Sequence, residues 1–193
     1  AKPRSTGPVR VGALALSGGN TSATAVAVGY QAMAANTSGD QCTAVGYQAL
    51  AANTTGARNT AHGYQALQTQ SGAAVDNTGV GRMAGKAITT GYENTFLGSG
   101  AGNSGTAITT GGDNTLIGFQ AQVAAAGALQ CTALGANSKA ANNNATALGA
   151  GTNAAGNGSV AIGRDQSGTA ASRVSGPRRS NRPWSRVVRN TIR

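Results

Sequence analysis

The sequence predicts an all-β fold, a parallel β-solenoid of about nine short coils, on three observations. One glycine recurs at Gly29, Gly46, Gly63, Gly81, Gly98, Gly118, Gly135, Gly149 and Gly163, at spacings of 14 to 20 residues. The residues before it alternate with period two: Thr or Val, then a mostly small residue, then an aliphatic one. The composition is poor in bulk, with 30 glycines, 4% aromatic and 10% charged residues. That is too little to build a layered enzyme core around a buried cleft.

Each triplet before the glycine reads as a short strand. Thr43-Ala44-Val45 and Ser159-Val160-Ala161-Ile162 carry β-branched or aliphatic residues on one face and a small residue on the other. The column Val28, Val45, His62, Val80, Leu97, Ile117, Leu134, Leu148 and Ile162 is expected to face inward as the core of the coil. After the glycine bend, a second extended piece such as Tyr47-Gln48-Ala49-Leu50 is expected, followed by a turn rich in Asn, Gly, Ser and Thr. A unit this small cannot bury its own apolar face, so neighbouring rungs must stack the same columns. At about 4.8 Å per rung, nine rungs make a rod roughly 43 Å long.

Charge divides the chain into three segments: a basic N-terminal arm (1–19), the repeat body (20–165) and an Arg-rich docking tail (166–193). The net charge of +10 comes from the two ends, because residues 11–165 balance five bases against all five acids. All four prolines and the single Trp also lie in the end segments. No apolar run approaches the roughly 18 residues of a membrane-spanning helix, so no membrane insertion is expected. Val11 to Leu16 is too short for a signal-peptide core, so no cleaved export signal is expected.

The shortest units, Ala145-Thr-Ala-Leu-Gly149 and Ser159-Val-Ala-Ile-Gly163, resemble the head repeat of trimeric autotransporter adhesins, a left-handed parallel β-roll. The longer units, Thr43-Ala-Val-Gly-Tyr-Gln-Ala-Leu50 and Asn59-Thr-Ala-His-Gly-Tyr-Gln-Ala-Leu67, are similar to repeats in bacteriophage tail and head fibres. The resemblance covers about residues 25–165 and implies a homotrimer, with extended arms at the ends. Stalk, anchor and signal sequences of complete adhesins are not seen, nor is the large C-terminal domain of some long phage fibres. The function expected is therefore a phage virion structural protein, a short trimeric fibre, spike or capsid decoration assembled in the host cytoplasm. Its expected partners are capsid, collar or tail proteins and, for adhesion, a host-surface glycan or receptor. The alternatives are an adhesin-type head module and a monomeric ice- or ligand-binding solenoid, the latter suggested by the Thr columns.

Candidate sites follow from the columns. Arg178, Arg179, Arg182, Trp184, Arg186, Arg189 and Arg193 form a cationic, proline-broken segment suited to docking on an acidic protein surface. It contains no folded nucleic-acid-reading module, and a nucleic-acid partner is not expected. Tyr30, Gln31, Tyr47, Gln48, Tyr64 and Gln65 recur directly after the glycine. They form either a surface stripe able to stack on sugars or an inter-chain packing ladder. Asp76, Glu93 and Asp113 share one turn column, which is expected to be relieved by solvent, Arg82 and Lys86 in preference to holding Ca²⁺. Cys42 and Cys131 share the column of Asn59, Asn77, Asn94 and Asn114 and are expected to be small buried substitutes, too far apart for a disulfide within the chain. The lone His62 is read as a core histidine, and Gly100-Ala-Gly-Asn-Ser-Gly105 as solenoid turns, because no helix pattern follows it. No catalytic residue, cofactor or metal is expected.

Overall fold

The glycine before each bend is forced by how closely the rungs approach. In the computed structural model a β-carbon on Gly29, Gly46, Gly63, Gly81, Gly98, Gly118, Gly135 or Gly149 would stand 2.6–2.7 Å from the carbonyl carbon of the next glycine in the column. All of them also have φ between 126° and 138°, a region L-residues rarely adopt. The structure describes residues 7–103, 108–168 and 173–174.

Among the described residues these bends join fifteen short strands. β1 (Val9–Val11), β2 (Val26–Val28), β3 (Thr43–Val45), β4 (Thr60–His62), β5 (Thr78–Val80), β6 (Thr95–Leu97) and β7 (Thr115–Ile117) run in order along one sheet. That sheet continues through β9 (Thr132–Leu134), β11 (Thr146–Leu148), β13 (Val160–Ile162) and β15 (Arg173–Val174). A second sheet holds β8 (Gln122–Val123), β10 (Lys139–Ala140), β12 (Asn153–Ala154) and β14 (Ser167–Gly168). Every pairing is parallel and in register with the repeat, Thr43 opposite Thr60 and Val45 opposite His62 for example. The chain is thus an all-β parallel solenoid, and no helix of the described residues is long and apolar enough to cross a membrane.

The structure adds a rung in the segment expected to be an arm. Val9–Val11 pairs with β2, and Gly12, at φ 120°, takes the bend position. The tail residues Arg173 and Val174 likewise pair with β13. The remaining tail residues assigned to docking, Arg178 to Arg193, lie outside the described residues.

The expected core is reversed. Ala27, Ala44, Ala61, Ala133, Ala147 and Ala161, the middle residues of their strands, are buried, as are Phe96 and Leu116. The aliphatic column instead looks outward, with Leu97 45% exposed, Leu134 40% and Leu148 38%. His62 in this column is exposed and is not a core histidine. The coil's cross-section explains the inversion: in most rungs a large side chain after the bend, such as Leu50 or Leu67, fills the interior and leaves the strand room for a small group, and a β-carbon on Gly79 would meet Leu67 Cγ at 2.8 Å. Where a ring enters, glycines make room for it, and a β-carbon on Gly85 would meet the Phe96 ring at 2.5 Å.

The expected second strand forms only in the C-terminal rungs. In the early rungs the residue four after the glycine is buried and left-handed, as in Met33, Leu50 and Leu67 at φ 48–51°. In the later rungs the buried residue is the fifth, Val123, Ala140 or Ala154, and the chain stays extended. Burial at the fourth position needs a left-handed twist there, whereas burial at the fifth suits a strand. The twisted segments still bond between rungs, with Gln48 N–H donating to Tyr30 O at 2.9 Å and Gln65 N–H to Tyr47 O at 2.8 Å.

The glycine column gives the first prediction. Gly46→Ala should cost about 3 kcal/mol or more in urea denaturation, from disallowed backbone plus steric conflict. Gly158→Ala, at φ 62° but with nothing within 4 Å of the added carbon, should cost only about 1–2 kcal/mol, the backbone penalty alone.

Candidate functional site

Stacking converts each repeated side chain into a ladder, and the candidate sites are these ladders. The buried one is asparagine. Asn59, Asn77, Asn94 and Asn114 each donate through Nδ2 to a turn carbonyl, those of Ala74, Gly91, Gly111 and Ala128, at 2.7–2.9 Å. Each Oδ1 accepts the backbone N–H of the next rung, from Asn77, Asn94, Asn114 and Cys131, at 2.9–3.2 Å. Buried amides with both ends bonded act as staples between rungs.

Cys42 and Cys131 occupy the same column, as the spacing predicts. Both are free and buried. The Cys42 thiol donates to Gly56 O at 3.2 Å and the Cys131 thiol to Asn142 O at 3.1 Å, the same kind of contact the asparagines make. Burial pushes both thiols above the usual range, which keeps them protonated and unreactive.

The aromatic stripe lies on the surface. Tyr30, Tyr47 and Tyr64 are 43%, 41% and 45% exposed. Their rings stack on one another at centroid distances of 5.5 and 5.1 Å, with interplanar angles of 15° and 8°. Both faces of Tyr47 are therefore taken by its neighbours, and the guanidinium of Arg82 lies 6.0 Å from the Tyr64 centroid. Within the stripe, Tyr47 thus presents its ring edge and hydroxyl to the surface.

Beside it runs an amide ladder. Gln48 Nε2 donates to Gln31 Oε1 at 2.7 Å and Gln65 Nε2 to Gln48 Oε1 at 3.0 Å. Lys86 Nζ caps the ladder on Gln65 Oε1 at 3.0 Å, and Gln68 Nε2 donates to Gln48 Oε1 at 2.7 Å. Gln68 carried no sequence signal because it lies outside the repeated Tyr-Gln pair.

The acidic column is relieved differently from the expectation. Arg58, one rung before Asp76 in the same column, forms a two-point pair with it, Nε to Oδ1 at 2.6 Å and Nη2 to Oδ2 at 2.8 Å. Arg82 and Lys86 are engaged by Tyr64 and Gln65 instead. The bond to Arg58 lowers the Asp76 pKa, whereas the neighbouring Asp113 carboxyl, by hydrogen bond and then by repulsion, raises that of Glu93. No group of three or more His, Cys, Asp or Glu able to hold a metal occurs among the described residues.

On the strand side, the long sheet presents two outward columns, one mainly Thr (Thr43, Thr60, Thr78, Thr95, Thr115, Thr132, Thr146) and the aliphatic one. From β2 to β13 its outward positions carry Thr, Val, Leu, Ile and the single imidazole of His62. No protein-family model matches the chain, and no curated protein matches it either.

Asn94→Leu should lower stability by about 2–5 kcal/mol, because it strands the Gly111 carbonyl and the Asn114 N–H in the core; urea midpoints measure this. The two carboxyls predict opposite pH trends. Stability from Asp76 is present above its unfolded pKa and is lost as pH falls through its lowered folded value. The Glu93 repulsion acts above its raised folded pKa and is relieved as pH falls through it. Glu93→Gln should therefore raise the melting temperature at pH 7, with the gain gone below about pH 4.

Proposed function

We propose that the chain is a virion structural protein of a bacteriophage: three copies associate along their long sheets into a short fibre, spike or capsid decoration. The observation that carries this reading is the outward aliphatic column, with Leu97, Leu134 and Leu148 exposed on one chain. An apolar strip, interrupted by His62, on a sheet whose outward positions from β2 to β13 carry no Asp, Glu, Lys or Arg marks a contact surface. Burying it against other copies adds to the stability of the coil, at about 25 cal/mol per Å². The number three comes from the resemblance of the repeats to trimeric β-rolls.

In this reading the basic segment 166–193 attaches the assembly to acidic surfaces of capsid, collar or tail proteins, and three tails on one rod tether by avidity. The solenoid is scaffold and performs no catalysis. The exposed tyrosine edges and amide ladder also support a share in host-surface adhesion, the role of an adhesin-type head. The outward threonine column keeps an ice- or ligand-binding solenoid as the competing reading, and that reading requires the same sheet to face water.

Sedimentation equilibrium in high salt separates them. The expected mass is three times 18.8 kDa, falling to one chain in a Leu134→Asp/Leu148→Asp variant. A monomer for the unaltered chain would contradict the trimer, and thermal hysteresis in that monomer would establish the ice-binding alternative.

A further inference from the structure

We propose that a shallow groove beside the amide ladder binds a neutral glycan, read through hydroxyl pairs by Gln31 and Gln68. The proposal rests on the adhesive part of the function above and is independent of trimerisation. The groove is about 500 Å³ and is lined by Gln31, Ala34, Ala51, Ala52, Gln68 and Thr69. By register, Ala51 and Ala52 lie on its middle rung, with Gln31 and Ala34 on the rung before and Gln68 and Thr69 on the rung after.

The ladder leaves particular atoms of the two flanking rungs for a ligand. Gln31 accepts from Gln48 through Oε1, and its Nε2 has no acceptor among the described residues. Gln68 donates through Nε2 to Gln48, and its Oε1 has no donor among them. Thr69 spends its proton on Lys86 O at 2.6 Å and Ile88 O at 3.0 Å, so its oxygen remains an acceptor. The groove therefore offers a donor at one side and two acceptors at the other, held in place by bonds to Gln48 and to the backbone. Gln31 and Gln68 sit two rungs apart, about 10 Å, a span of roughly two sugar rings.

This chemistry selects the class of ligand. A sugar hydroxyl donates and accepts, as the donor and acceptor borders require. The C–H face of a pyranose suits a flat alanine floor, which lacks the depth to seat a peptide side chain. No charged residue lines the groove, and Lys86 beyond it is bonded to Gln65. An anionic sugar or a phosphate would find no counter-charge there. A few fixed polar groups around an apolar floor are the usual composition of a ligand site.

The test is a titration of the isotope-labelled full chain, in its native oligomer, with maltohexaose, cellohexaose and chitohexaose. At least one should move the side-chain amide signals of Gln31 and Gln68 saturably. Gln68→Ala, and separately Ala51→Arg to fill the groove, should each weaken that binding at least about tenfold while the solenoid still melts cooperatively within about 5 °C of the unaltered chain. If none of the three sugars gives saturable shifts, the proposal is overturned. If saturable shifts map to Tyr30, Tyr47 and Tyr64 and survive both substitutions, the groove is likewise overturned, while the adhesive role itself stands.

Discussion

A β-carbon on Gly46 would stand 2.7 Å from the carbonyl carbon of Gly63, and the same conflict recurs at each bend of the column. This close approach sets the register of everything else. Because glycine stacks on glycine, the residue after it stacks on its counterpart one rung away, and so do the strand residues before it. The tyrosine stack, the glutamine ladder and the asparagine staples are consequences of that single alignment. Rungs of 14 to 20 residues coexist because length differences are absorbed in the turns, away from the column.

The same geometry limits what the interior can hold. The strands approach the opposite wall so closely that alanine fills most inward strand positions, and Phe96 enters only where Gly85 and Gly102 withdraw. The alanines of the strands bury little area each, so buried hydrogen bonds add to the cohesion supplied by Met33, Leu50, Leu67, Ile88 and Ile108. The asparagine column contributes such bonds both to its own turn and to the next rung. Met33, Leu50, Leu67, Ile88 and Ile108 fill the interior from the segments after the bends, while the strand aliphatics Leu97, Leu134 and Leu148 stay outside.

Much of this was legible in the sequence and some was not, for physical reasons. The strand triplets, the bend glycines and the equivalence of Cys42 and Cys131 with the asparagine column follow from spacing alone, and the structure bears them out. Which face of the strand points inward does not follow from spacing. Thr-Ala-Val alternates equally well either way, and hydrophobicity names valine as core, but in most rungs the narrow coil admits alanine at the inward strand position. The rung at Val9–Val11 was hidden because Arg10 stands in register with Ala27, breaking the small-residue pattern. Among the surface features, the Tyr and Gln columns were visible as repeats, but their mutual stacking and bonding depend on rung spacing and side-chain reach. The link from Gln68 to Gln48, which defines the groove, has no sequence signature. The tail residues assigned to docking, Arg178 to Arg193, lie outside the described residues, so their role rests on composition.

The central claim is that the outward aliphatic column is a contact surface and the alanine column the core. Methyl NMR of the native protein with a soluble gadolinium chelate tests it directly. The account predicts that the methyls of Leu97, Leu134 and Leu148, exposed on a single chain, are protected nearly as well as those of Ala44 and Ala147. Bleaching of the leucine methyls to the level of the exposed Ala52 would contradict it, because the column would then face water in the native protein.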